Sequence, residues 1–323
     1  MDNMDSFCEH VEALEQQTAH LKHETPALKE QTRMVERRLR WWRGIACNMA
    51  MLVGVIGITF GSMTPARADV INCGDVLGPG GRFELEHDLD CPAPVVGITV
   101  RDRAILDLKG HIVTCHNFTR CIVLTGTGAQ LLNGAVQGGT HESIILEGNG
   151  RHIVKDVTST LVDNNIIVRS DHNQLINVMA ESLISPAFNI VGDNNRLTDN
   201  IALCSELFSI LSGCILIGGN GNRLINNFAT STTSGAPGIS GFLITGNNNV
   251  LRGNRAIRNE SSGITVKGTG NSLQRNTALE NGLDVQDTNG DCAHNTWEEN
   301  TFKTSDPACI MESPGGSVVH LER

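Results

Sequence analysis

The chain of 323 residues is long enough for one large domain or two, and its formal net charge of −10 excludes the clustered Lys and Arg footprint of a nucleic-acid-binding protein. Ten cysteines, eight of them after residue 70, point to an oxidising compartment. Tyrosine is absent and aromatics are 4% of the chain, which argues against a sugar-cleaving cleft built on aromatic platforms.

Residues 1–43 are charged and carry a heptad pattern. One seam reads Leu14, Leu21, Leu28, Val35 and Trp42; the other reads Val11, Thr18, Thr25, Thr32 and Leu39. This predicts a short amphipathic helix or weak coiled coil, able to self-associate if it is retained. Arg37, Arg38, Arg40 and Arg43 then precede an apolar run from Ile45 to Met63 and an Ala66-Arg-Ala68 pattern before Asp69. Residues 44–68 therefore read as a signal peptide, or as an uncleaved anchor with its basic flank in the cytoplasm. Either way the remainder is expected to be exported: secreted, periplasmic or on the cell surface.

Residues 69–100 read as a cap. Phe83, Leu85 and Leu89 suggest short strands, and Cys73 and Cys91 bracket them and could be joined. From 101 to 310 two phrases recur. The first is Asn-x-Leu at Leu175, Leu197, Leu224, Leu251 and Leu273, with Leu131 and Ile153 holding the same place earlier and Trp297 later, at intervals of 22 to 27 residues. The second is a short apolar strand before a small residue, as in Ile122-Val-Leu124-Thr-Gly126, Ile144-Ile-Leu146-Glu-Gly148 and Phe242-Leu-Ile244-Thr-Gly246. A repeat of this size, with turn residues too frequent for helices, predicts an all-β solenoid of about eight or nine coils. Alternation places Ile122/Leu124, Ile144/Leu146, Ile166/Val168, Phe188/Ile190, Ile215/Ile217, Phe242/Ile244 and Ile264/Val266 inside.

Two asparagine series, 173-195-222-249-271 and 200-227-254-276-300, are expected to stack at the coil corners, where asparagine tolerates a left-handed turn. The outward positions of the apolar strands form a broken stripe of Val123, Ile145, Ile167, Leu216 and Leu243, which loops should cover. Insertions collect just before these strands. Two of them are bounded by cysteines, Cys115 with Cys121 and Cys204 with Cys214, at spacings suited to local staples. A Cys292–Cys309 bridge would fasten the last coil, and residues 311–323 read as a flexible tail.

The formula Gly-x-x-Asn-x-Leu-x-x-Asn-x-Ala, from about Cys73 to Ile310, resembles the right-handed parallel β-helices of the pectin-lyase-like superfamily, including NosD-like and other exported members. That fold hosts lyases, hydrolases, epimerases, adhesins and inert scaffolds, so the resemblance implies architecture rather than activity. The Asn-Thr-Asp, Gly-His-Gly and Asp-Pro-His phrases of catalytic relatives do not occur. A lyase-like reading would need an Arg base and Asp ligands for Ca²⁺. Its nearest approach is Arg169 with Glu147, on adjacent rungs of the outward face, where a surface ion pair is the plainer expectation.

The insertion-bearing edge, where irregular loops carry binding, offers His116, Arg120, His141, Glu142, Asp163, Glu181, Glu206, Glu260 and Glu280 as candidates. No metal ligand set and no cofactor is expected, with Ca²⁺ entering only under the lyase reading. Asn117-Phe-Thr119 and Asn259-Glu-Ser261 fit the glycosylation sequon. The expected role is an exported, non-catalytic β-helix binding a glycan or another surface component, or serving as a scaffold. The alternative is a lyase or epimerase acting on uronate polymers.

Overall fold

The structure, a computed structural model, describes residues 70–92, 96–116, 120–138, 142–162, 165–183, 186–205, 212–231, 239–290, 292–312 and 317–318. The heptad segment, the apolar run, the Ala68 site, His141, Asp163, Glu206, the Asn117 sequon and most of the tail lie outside the described residues. Of two compact units, Met1–Pro65 and Ala66–Arg323, all that is described belongs to the second. Among the described residues no helix is long and apolar enough to cross a membrane.

The second unit is an all-β parallel solenoid of about nine coils. Each coil gives one strand to each of three faces. The first face is an 11-stranded parallel sheet running from Val76–Leu77 to Ser305–Asp306. The second is made of the Asn-x-Leu strands, such as Gln174–Ile176, Arg196–Thr198, Arg223–Ile225 and Val250–Arg252. The third follows after a tight corner, as in Met179–Ser182, Ile201–Cys204, Phe228–Ser231 and Arg255–Ile257. In two early coils the second and third strands run on as one, Gln130–Gly138 and Ile153–Val162. The segment ahead of residue 101 already follows the coil: Val76–Leu77, Arg82–Glu84 and Leu89–Cys91 each pair in parallel with a strand of the next turn.

Parallel stacking in register puts like residue on like, so the core is a set of columns. The predicted inward residues of the first sheet are all at most 1% exposed. The second sheet contributes Leu175, Leu197, Leu224, Leu251 and Leu273, and the third Ala180, Ala202, Ala229, Ala256 and Ala278. Leucine and isoleucine fill the wide faces, and alanine lets the third sheet close down beside the corner. Each fully buried leucine or isoleucine contributes about 1.5–3 kcal/mol of transfer free energy. One expectation is corrected here. Val154, not Ile153, pairs with both Leu131 and Leu175 and is fully buried, because His152 stands where the later coils have the asparagine that marks the register.

Both asparagine series are buried ladders. In the second, each backbone N–H and Nδ2 donates to the Oδ1 one coil on: Asn227 to Asn254 at 2.9 Å for both, and Asn254 to Asn276 at 2.9 and 3.0 Å. In the first, the backbone bonds persist but Asn195, Asn222 and Asn249 keep a buried Nδ2 without an acceptor. The ladder asparagines do not themselves take the left-handed turn. That conformation falls one residue earlier, at His172, Asn194, Asp199, Asn226, Asn248, Arg275 and Glu299, and at Gly221, Gly253 and Gly270. The left-handed residue reverses the chain, and this aims the next amide along the solenoid axis.

All four expected disulfides form: Cys73–Cys91, Cys115–Cys121, Cys204–Cys214 and Cys292–Cys309. They fit an extracellular, oxidising environment. Two of them tie down the first and last coils, each of which has a neighbouring coil on one side only among the described residues. Of the outward stripe, Val123, Ile145, Ile167 and Leu243 are at most 6% exposed, while Leu216 is partly exposed. The Asn259 sequon is no glycan acceptor as it stands, because Asn259 is buried and its Nδ2 donates to Asn281 Oδ1 at 2.9 Å.

Candidate functional site

The sequence candidates that converge are Arg120, Glu142, Glu147 and Arg169, on three neighbouring strands of the first sheet. Arg120 opens the strand Arg120–Thr125 and lies in register with Glu142, which opens Glu142–Leu146. Glu147 follows that strand by one residue, and Arg169 likewise follows Ile166–Val168. Flat parallel strands hold these four outward side chains within reach of each other.

Glu142 is the hub. One of its oxygens accepts from Arg120 Nε at 3.0 Å, and the other accepts from an Arg169 terminal nitrogen. Glu147 Oε2 lies 4.0 Å from Arg120 and 3.9 Å from Arg169. The Glu142 side chain is 15% exposed and the other three 35–45%, so the cluster has a half-buried centre and an open rim. Two guanidiniums and two carboxylates cancel in charge, and each satisfies the others. Such a network can bind hydroxyl groups in fixed directions, but its acid and base groups are already engaged with each other rather than aimed outward.

The other candidates are dispersed. His116 Nε2 lies 2.6 Å from Asp90 Oδ1 at the Cys115–Cys121 staple. Glu280, in a left-handed turn, pairs with Arg258 at 2.7 Å. The backbone carbonyl of Glu181 accepts from Asn165 Nδ2, and Glu260 sits three coils further along. Among the described residues no group of three or more His, Cys, Asp or Glu side chains is placed to hold a metal ion.

Sequence reasoning missed His152, which lies under this cluster. It is fully buried at the ladder position; Nδ1 accepts from the Ala129 N–H at 3.1 Å, and Nε2 donates to the Glu147 carbonyl at 2.8 Å. Those partners require the neutral ring with its proton on Nε2. Burial holds its pKa below the ordinary histidine value. Because the folded value is lowered, the unfolded chain takes up the proton first as pH falls. The His152 contribution is therefore complete above about pH 6.5 and lost below it, at no more than about 1.4 kcal/mol per pH unit, until the folded value is reached. Urea denaturation at a series of pH values should show this component. His152→Asn, which restores the usual ladder residue, should remove it; a variant with the same pH slope as the parent would refute the assignment.

No family model matches this chain, and no curated protein is similar to it at a significant level. Among solved structures, the Dettilon tailspike protein (gp208) is similar, with a TM-score of 0.37 and 12% sequence identity. The match covers 69% of this chain and 54% of that one, so the chain spans about half the tailspike's length.

Proposed function

We propose that the protein is an exported, non-catalytic β-solenoid of the pectin-lyase-like type that binds a glycan or another surface component on its insertion-bearing edge. The observation that carries this reading is the mutually satisfied Arg120–Glu142–Glu147–Arg169 network. It offers oriented donors and acceptors on a rigid sheet, while its acid and base groups neutralise each other. Four disulfides support the exported setting.

Incubation with polygalacturonate or alginate and Ca²⁺ should produce no rise in the ultraviolet absorbance of unsaturated product. A glycan array should detect binding that Glu142→Gln weakens about tenfold, the scale of losing a charge-assisted hydrogen bond. A clear absorbance rise that disappears in Arg169→Ala would replace this reading with a lyase.

A further inference from the structure

A second charged surface lies on the second sheet, away from the cluster above. We propose that a groove lined by Arg223, Arg252 and Arg275 binds an acidic polysaccharide through sulfate or carboxylate groups carried on its sugars. This site is independent of the neutral network on the first sheet.

The groove has a volume of about 360 Å³, at the small end of the range for ligand sites. Its floor includes Ile225 and Val250, and its far wall is the corner at Asn226 and Gly253, both left-handed. Arg223 and Arg252 sit at the first and third positions of adjacent strands, two residues apart along the register. Arg275 occupies the left-handed corner of the next coil, where it pairs with Glu299. Among the described residues neither Arg223 nor Arg252 has a carboxylate partner; Glu299 acts on Arg252 only at a distance, and Glu298 is engaged by Gln274. Arg196 extends the row, in register with Arg223 and, among the described residues, bonded only to Thr198 at 3.2 Å.

Arg196 and Arg223 are like charges directly opposite on neighbouring strands, whose backbones lie about 4.8 Å apart, an arrangement that works against folding. The pair repels by itself, and an anion lying across it would offset that repulsion. Across the same corner, half-buried Arg255 also keeps an Nε with no acceptor.

Guanidinium forks bind pairs of oxygens on sulfate or carboxylate in a bidentate way. The row steps one coil per rung and slants across the sheet toward the corner, and so suits a linear polymer that repeats its anion from unit to unit. Ile225 and Val250 give the carbon faces of sugar rings an apolar bed. No aromatic side chain lines the groove to stack a nucleic-acid base.

The full exported chain and Arg223→Gln/Arg252→Gln would be titrated calorimetrically with polygalacturonate, dextran sulfate, neutral dextran and single-stranded DNA. One or both acidic glycans should bind in a salt-sensitive way, with affinity at least tenfold lower in the double variant, and the two separate carboxylate from sulfate recognition. Lys267→Gln, an exposed cation at the end of the first-sheet strand Ser262–Val266, should leave this binding unchanged, so that a loss in the double variant belongs to the groove. A denaturation midpoint at or above the parent's would show that the double variant folds. Parent-like binding by the double variant, no binding of either acidic glycan, equal binding of neutral dextran, or tighter binding of DNA would each overturn the proposal.

Discussion

Gly246→Ala is expected to cost about 3 kcal/mol or more of folding stability, the upper range for forcing an extra carbon into a packed interior. Gly246 belongs to a column with Gly192, Gly219 and Gly268 at the end of the first-sheet strands. A Cβ on Gly246 would lie 1.9 Å from the Gly219 carbonyl oxygen and 2.7 Å from its carbon. The obstacle is backbone that is itself held in the ladder, so no rotamer can relieve it. At each step of the column one coil's main chain rests on the next. Gly218 is the internal control: its nearest neighbour to an added Cβ is 3.7 Å away, an ordinary contact. Gly218→Ala should therefore be neutral, or stabilising by a few tenths of a kcal/mol through the unfolded state. Urea denaturation of both variants decides the matter, and coincident midpoints would refute the close-approach argument.

Asn254→Leu should lose about 4 kcal/mol, although leucine is apolar and close in size. Asn254 Oδ1 accepts both the backbone N–H and the Nδ2 of Asn227, and its Nδ2 donates to Leu224 O at 2.9 Å and to Asn276 Oδ1 at 3.0 Å. Leucine would leave several of these buried groups unmet, at about 1–3 kcal/mol each. The test is a double-mutant cycle with Asn227→Leu. Removing both amides deletes donor and acceptor together, so the double variant should be less destabilised than the sum of the singles, by about 1 kcal/mol or more. Strict additivity would mean that the rungs act separately and that the ladder is not a coupled element.

The columns were legible because strand alternation and a 22-residue spacing leave few ways to stack leucine on leucine and asparagine on asparagine. The disulfides were legible for the same reason, since each short cysteine spacing bounds an end or an insertion of the coil. Where a coil departs from the formula, the reading slipped. His152 replaces the marker asparagine, and the register moved by one residue to Ile153. The left-handed turns were placed on the ladder asparagines, whereas they occupy the residue before each one; Asn194-Asn195, Asn226-Asn227 and Asn248-Asn249 carry two asparagines in a row, and sequence alone does not say which one turns.

Spacing along the chain also cannot tell which outward groups meet. Glu147 and Arg169 are rung neighbours by count, but Glu142, at the other end of its strand, is the carboxylate that both arginines share. Arg223 and Arg252 fall at different places in their repeats, and only the parallel register brings them into one groove. The amino-acid sequence by itself determined the solenoid, its inward columns and its four cross-links, because each follows from a local period that every coil repeats. Tertiary structure alone decided the glycine contacts, the role of His152 and both charged surfaces. These depend on how far one coil sits from the next and which atoms then face each other, a distance no single coil contains.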